Sequence, residues 1–323
     1  MEGIDPALME AILVFFGLAM LLLGGSKLVD GAQALGHRYG LSPVFIGLTI
    51  VSLGTSAPEL ATTLTAAFKG APAMALGNVV GSNLANIGLV LGVVGILHTV
   101  KACDYTVDWD YKIMLGVLAL VWPLAGFPFD SEKKFISQGE GLFLVVLLVA
   151  YLVFVIRREQ RSHEDEEPSE VPAGIISGRM AIIWVVVGAA LLTLGSDWLI
   201  DGAAGLARRV EISERVIGLT LLALGTSLPE LVSSLIAANR GESELVVGNL
   251  VGSNIFNVLA ILGLTSLVVP LEVADWAVAQ RDIIAMFAVG AVGLFLLIGD
   301  LKVKRLEGFV LVGSYIVALV LLY

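Results

Sequence analysis

The sequence predicts an all-α integral membrane protein with ten transmembrane helices in two inverted five-helix repeats. The first observation is composition. Of 323 residues, 57% are hydrophobic and 15% charged, where a soluble domain carries about a quarter charged residues. Second, apolar stretches long enough to cross a bilayer, ~18 residues or more, recur along the whole chain. Third, residue n laid over n + 171 aligns the two halves without a gap, and 23 of the 46 positions in 47–92 are identical in 218–263. Shared lipid-facing composition would match Leu and Val, but here Thr, Ser, Pro, Glu and Asn coincide. Helices rather than a β-barrel follow because alternating strands of ~10 residues are absent. Lipid leaves no other way to pair the backbone.

The spans run 8–30, 42–68, 73–98, 111–127, 139–157, 179–201, 214–238, 244–269, 281–299 and 305–322. The first follows "MEGIDPALME", which has no positive n-region, and it continues without a small-residue cleavage site. It reads as a retained span rather than a signal peptide. The fifth ends at "RREQRSHEDEEPSEVPAGIISG", 157–178, a charged, Pro-containing linker of the kind that stays solvated. The linker divides the chain into a first half, 1–156, and a second, 179–323. Five spans per half is an odd number, so the second half enters from the opposite side. That is the inverted-repeat arrangement of secondary transporters.

Lys and Arg set the orientation. With 157–178 in the cytoplasm, eleven basic residues fall inside (Arg38 and Arg240 among them) and seven outside, Lys69 among these. We therefore expect a multi-pass protein of the cell (plasma) membrane, with both termini outside.

Two motifs carry chemistry. "LGTSAPEL" at 53–60 returns as "LGTSLPEL" at 224–231. Pro58 and Pro229 lack an N–H and clash with the preceding turn, so each helix is expected to break at 54–58 and 225–229. A break in lipid is tolerated where the freed carbonyls line a cavity or meet an ion. Around each break stand Thr55, Ser56 and Glu59, and Thr226, Ser227 and Glu230, all oxygen donors. An intramembrane carboxylate costs about 2.5–3.5 kcal/mol by insertion scales and needs a partner. Apart from Arg215 at the very start of the 214–238 span, no Lys or Arg lies in these two spans. A protonated Glu bonded to backbone would explain one copy; two related copies beside helix breaks point to a cation.

"GNVVGSNLAN" at 77–86 matches "GNLVGSNIFN" at 248–257. At helical spacing Asn78, Ser82 and Asn86 share a face, as do Asn249, Ser253 and Asn257. Gly77 with Gly81, and Gly248 with Gly252, are GxxxG pairs suited to close helix packing. Packing accounts for the glycines but not for the Ser/Asn face, which we read as ligands.

No thiolate or imidazole cluster exists, which argues against Zn and Cu. Mixed carboxylate, carbonyl, amide and hydroxyl oxygens suit Ca²⁺, and also Na⁺; Mg²⁺ fits less well because it dehydrates reluctantly. The paired motifs resemble the two α-repeats of sodium/calcium exchangers in the cation/calcium antiporter superfamily, over nearly the whole chain. The resemblance implies ion ligands at Thr55, Ser56, Glu59, Ser82 and Asn86, and at Thr226, Ser227, Glu230, Ser253 and Asn257. It also implies carbonyl ligands at Ser52 and Ala223. Some relatives carry Asp where this chain has Asn257, and the proton/calcium branch usually carries Glu in this motif. Neutral amides here imply Na⁺ coupling without K⁺.

The expected function is Na⁺/Ca²⁺ antiport by alternating access, with the ions as transported substrates, no cofactor and no enzymatic activity. The alternatives are a proton-coupled antiporter of Ca²⁺ or another divalent ion, and a cation channel. The partners expected are Ca²⁺, Na⁺ and the lipid bilayer. No basic stretch suggests nucleic acid, and no GxxxxGK[ST] suggests nucleotide. Cys103 is the single cysteine, so no internal disulfide forms. Lys27, Asp30, Asp197 and Asp201, near span ends, read as snorkelling surface groups, and "EDEEPSE" at 164–170 as solvated linker.

Overall fold

The structure, a computed structural model, describes residues 5–70, 72–126, 135–162, 176–212, 225–273 and 275–322. Ala223 and the middle of the 157–178 linker lie outside the described residues.

Helix α1 spans Pro6–Tyr39 and starts where sequence directs: Asp5 caps it by accepting from the Ala7 amide at 2.9 Å, with Pro6 in the first turn. Its 34 residues rise ~51 Å at ~1.5 Å each, well beyond a hydrocarbon core of ~30 Å. Helix α9, Gly178–Arg209, is nearly as long at 32 residues, and the two run antiparallel in close contact. Gly17, Gly24 and Gly31 meet Gly195, Gly188 and Ala181 in turn. A Cβ on Gly17 would stand 2.8 Å from the Gly195 carbonyl, and one on Gly24 2.8 Å from that of Gly188. Small residues every seventh position let two backbones touch, which is how helices associate without a hydrophobic driving force in lipid.

The second span is broken. Pro43–Ile46 (α2), a π-helical turn Gly47–Val51 and Ser52–Thr55 (α3) lead to a 43° bend, after which α4 runs Ala57–Phe68. The third comprises α5 (Pro72–Ala85), a π-turn Asn86–Leu91 and α6 (Gly92–Leu97). After β1 (Val100–Lys101) come a π-turn Thr106–Tyr111 and α7 (Lys112–Leu124), then β2 (Phe135–Ile136) and α8 (Gln138–Ser162). The second half continues with α10 (Leu228–Asn239), α11 (Ser243–Phe256), a π-turn Asn257–Leu262, α12 (Gly263–Val268) and β3 (Leu271–Glu272). It ends with α13 (Trp276–Asp300), β4 (Lys302–Val303) and α14 (Arg305–Leu322). Strand β1 pairs with β4 and β2 with β3, each antiparallel.

Among the described residues seven helices are long and apolar enough to cross a membrane, or eight with the bent pair taken as one span. The count differs from the expected ten at two places. The segment Thr106–Tyr111 plus Lys112–Leu124 carries Asp108, Asp110 and Lys112, and the start of the 214–238 span lies outside the described residues. The linker also begins later than expected. Residues 157–162 continue α8, and two of their charges, those of Arg158 and Glu159, are satisfied against the bundle. Arg158 donates to the fully buried Asp110 at 2.6 Å and stacks 4.3 Å from the Tyr105 ring. Glu159 accepts from both the amide and the hydroxyl of Ser42, the cap of α2.

The core lies at the third span of each half. The Ser243–Val268 span is buried along its apolar length, and Met74–Leu97 along most of its own. Gly248 and Gly252 fit against the other half's second span, where an added Cβ would stand 2.7 Å from the Val44 and Leu48 carbonyls respectively. The packing role expected of this GxxxG pair is therefore present. At Gly77 and Gly81 an added Cβ meets nothing within 4 Å among the described residues. The positions that the repeat would set against them lie in 213–224, outside the described residues.

Candidate functional site

Proline builds the site locally. Pro58 has no N–H to give the Gly54 carbonyl, so the helix stops at Ser56 (φ −84°, ψ 3°) and restarts with Glu59 in its first turn. The second half repeats this at Ser227 (φ −91°, ψ 4°), with Glu230 in the first turn of α10. Each carboxylate thus sits at a helix N-terminus, whose partial positive charge contributes ~0.3–1 kcal/mol. That is well short of the cost of burial. Glu59 is 1% exposed and Glu230 fully buried.

The halves are joined through these residues. Ser56 donates to Glu230 Oε1 at 3.2 Å, and Ser253 lies 3.5 Å from the same oxygen. Thr55 Oγ1 reaches Asn249 Oδ1 at 3.3 Å and Ser253 Oγ at 3.4 Å. Ser82 and Thr226 share a hydroxyl contact of 3.3 Å. Among the described residues no Lys or Arg pairs with Glu59 or Glu230.

Among the described residues six oxygens have no hydrogen-bond partner: both of Glu59, Oε2 of Glu230, Oδ1 of Asn86 and of Asn257, and Oγ of Ser227. Buried polar atoms in proteins are ordinarily paired, so six orphaned oxygens, three of them on the two acids, constitute a fault unless a cation meets them. The chemistry fits a hard cation, since every atom is oxygen and Ca²⁺ takes 6–8 such ligands. No cluster of three or more His, Cys, Asp or Glu exists among the described residues, so the negative charge here rests on the two glutamates.

Of the residues singled out in the sequence, the structure brings together Thr55, Ser56, Glu230 and Ser253 in one hydrogen-bonded group and Ser82 with Thr226 in another. Ser52 is fully buried, but its carbonyl accepts from the Ser56 amide at 2.9 Å and from Thr55 Oγ1 at 3.4 Å. Asn78 and Asn249 act as struts within each half. Asn78 donates to Thr63 at 2.9 Å, and Asn249 to Ser234, which aligns with Thr63, at 3.3 Å. Sequence reasoning missed two features. Both π-turns of the third spans begin at the terminal motif asparagines, Asn86 and Asn257, a widening common at functional sites. Asn83 and Asn254, left out of the ligand set, bond the asparagines of the opposite half: Asn86 Nδ2 donates to Asn254 Oδ1 at 3.2 Å, and Asn257 Nδ2 to Asn83 Oδ1 at 3.3 Å.

Such a fold is that of a membrane cation antiporter. Residues 9–157 and 180–323 match the sodium/calcium exchanger protein family, and the chain belongs to that family. It is 36% identical over 318 residues to the putative antiporter CaxA of Alkalimonas amylolytica, covering 96% of this chain and 97% of that one. It is 31% identical over 345 residues to the sodium/calcium exchanger MaX1 of Methanosarcina acetivorans, covering 97% and 98% respectively. A solved structure of the sodium-calcium exchanger NCX_Mj, soaked with zero Na⁺ and Ca²⁺, superposes with a TM-score of 0.81 at 27% identity, covering 98% of this chain and all of that one.

Proposed function

We propose that this protein exchanges Na⁺ for Ca²⁺ by alternating access, at a site formed by Glu59, Glu230 and the oxygens of Thr55, Ser56, Ser82, Asn86, Thr226, Ser227, Ser253 and Asn257. The carbonyls of Ser52 and Ala223 complete the proposed set. The carrying observation is a set of six buried oxygens from both halves, three of them on the two carboxylates, that have no partner among the described residues. Two negative charges balance one Ca²⁺ or two Na⁺. The ions are substrates, and no cofactor enters the proposal.

Ten spans in inverted halves remain the reading for topology, and the strand pairs support it. In a ten-span threading, β1 and β4 follow the third and ninth spans, which end on one face. Strands β2 and β3 follow the fourth and eighth, which end on the other. Each pair thus joins loops that the threading puts on a common side.

An asymmetry between the halves supports alternating access. At one end of α10, Arg240 donates to Asp30 at 2.7 Å and to Ser26 at 2.9 Å, while Gln33 donates to Glu242 at 2.8 Å. Asp30 is therefore part of a clamp on α1 rather than a snorkelling group. The 171-residue offset lays Lys69 over Arg240 and Asp201 over Asp30. Among the described residues no ion pair joins Lys69 to Asp201 or Asp197, and all three are exposed. A clamp fastened at one end with its counterpart open is the arrangement expected of a site accessible from one side at a time. By the positive-inside assignment, the fastened end is cytoplasmic.

The test is ⁴⁵Ca²⁺ uptake into proteoliposomes preloaded with Na⁺, K⁺ or choline. Uptake driven by internal Na⁺ alone is expected. Uptake driven equally by a proton gradient would identify the proton-coupled alternative, and uptake without any counter-ion a channel.

A further inference from the structure

Asn86 and Asn257 pose a problem that their buried position sharpens. A carboxamide has an oxygen that attracts a cation and an NH₂ that repels it, and the two ends are nearly the same size. Beside two unpaired carboxylates the NH₂ end has ready acceptors, so an unrestrained amide would turn its donor toward the glutamates and exclude the ion. Something must hold it the other way.

We propose that Asn254 and Asn83 are positioning residues that fix the amides of Asn86 and Asn257 with their oxygens toward the cation, and that Met114 sets the direction for Asn254. The proposal rests on the ion site described above. Asn254 is fully buried and Asn83 is 1% exposed. Each accepts the Nδ2 of the opposite half's asparagine, at 3.2 and 3.3 Å, and in both cases the released Oδ1 is left unpartnered. The arrangement is reciprocal across the repeat. Asn254 could itself be turned over, and Met114 prevents this. Its thioether lies 3.4 Å from Asn254 Nδ2, and a thioether sulfur accepts but cannot donate. The Asn254 NH₂ is thus committed to Met114, its oxygen to Asn86, and the Asn86 oxygen to the ion.

The second arm is less constrained. Ala285 stands where the repeat would put a second Met114, and Nδ2 of Asn83 has no partner among the described residues. Met114 therefore acts on the Asn86 arm alone, and the two amide ligands are not equivalent.

The experiment compares Met114→Leu, Met114→Gln and Asn254→Leu in Na⁺-driven ⁴⁵Ca²⁺ uptake, reading KM for Ca²⁺ and Vmax separately. Leu keeps the volume of Met and loses the acceptor; Gln keeps the length and supplies a stronger acceptor. Met114→Leu is expected to raise KM about five- to tenfold, the factor carried by one net hydrogen bond, with Vmax retained. Met114→Gln restores an acceptor only where its oxygen faces Asn254, so its KM should lie between those of wild type and Met114→Leu. A packing role predicts the reverse order, because a buried site tolerates Leu better than Gln, and that order would overturn the proposal. Asn254→Leu is also measured alone and with Asn86→Ser, whose hydroxyl has no wrong end. Its effect on KM should vanish in the Asn86→Ser background, and an equal effect in both backgrounds would likewise overturn the proposal. If Met114→Gln fails to fold, this second comparison decides. A wild type that moves Ca²⁺ without Na⁺ removes the coupling reading but leaves the KM comparison intact.

Discussion

Glu59→Gln and Glu230→Gln should abolish exchange while leaving the ion-free protein at least as stable as before. Gln keeps the shape, so what changes is one of two formal charges and one acceptor oxygen. Removing one member of a buried ionic pair costs about 3–5 kcal/mol, and each 1.4 kcal/mol is about tenfold in affinity. Ca²⁺ binding should therefore weaken by about a hundredfold to several thousandfold. Without ions the sign reverses, because the substitution relieves a buried charge that has no counter-charge. The relief should be greater at Glu59, neither of whose oxygens has a partner among the described residues, than at Glu230, whose Oε1 already accepts from Ser56. The assays are Na⁺-driven ⁴⁵Ca²⁺ uptake and thermal melting in detergent with and without Ca²⁺. Wild type should gain stability from Ca²⁺ by mass action, about 2.7 kcal/mol at a hundred times Kd, and the variants should lose that gain. Near-normal flux in either variant, or a marked drop in ion-free stability, would refute the reasoning.

Gly195→Ala puts a Cβ 2.8 Å from the Gly17 carbonyl. It should cost about 1–3 kcal/mol on detergent melting, whereas Gly313→Ala, which meets nothing within 4 Å, should melt like wild type. A cysteine at Ser162 in a Cys103→Ser background should be shielded from an impermeant thiol reagent on intact cells and labelled after permeabilisation; labelling of intact cells would reverse the orientation. Exchange by wild type should be indifferent to K⁺ in the flux assay, since the site residues Asn86 and Asn257 add no third carboxylate.

The sequence made the helix breaks legible because proline acts locally. The 54–58 expectation and the observed bend at Ser56 describe one event, and the Glu that follows Pro58 is fixed in the first turn by chain connectivity. The fixed 171-residue offset likewise foretold that two glutamates would occupy related positions. What stayed hidden depends on packing between distant segments. The cross-half amide bonds of Asn83 and Asn254 arise between residues 168 and 174 positions apart, and periodicity within one helix gives no sign of them. The π-turns at Asn86 and Asn257 are equally unmarked by propensity. Arg240 looked like one basic residue in a loop tally, although its guanidinium ties α10 to α1. The repeat did hold one usable signal: six amides in the two third-span motifs exceed what a single ligand set of two requires, and the surplus had to serve as support.

The charge at the site bears on why such a protein should exchange ions rather than leak them. With neutral amides at Asn86 and Asn257, the glutamates set the formal charge at two. On the proposed reading, closing the site empty would carry an uncompensated pair of carboxylates into a water-poor interior, a cost of several kcal/mol per ion even after relaxation. One Ca²⁺ or two Na⁺ cancel that charge, so the loaded forms can close and the empty form is held back. Exchange then follows from the energetics of the empty site and needs no separate interlock. An acid in place of Asn257 would alter this balance, because one Ca²⁺ would leave a negative charge uncompensated. The amide therefore matters as much for the charge it withholds as for the oxygen it offers, and that oxygen is available only while Asn83 holds the other end of the side chain.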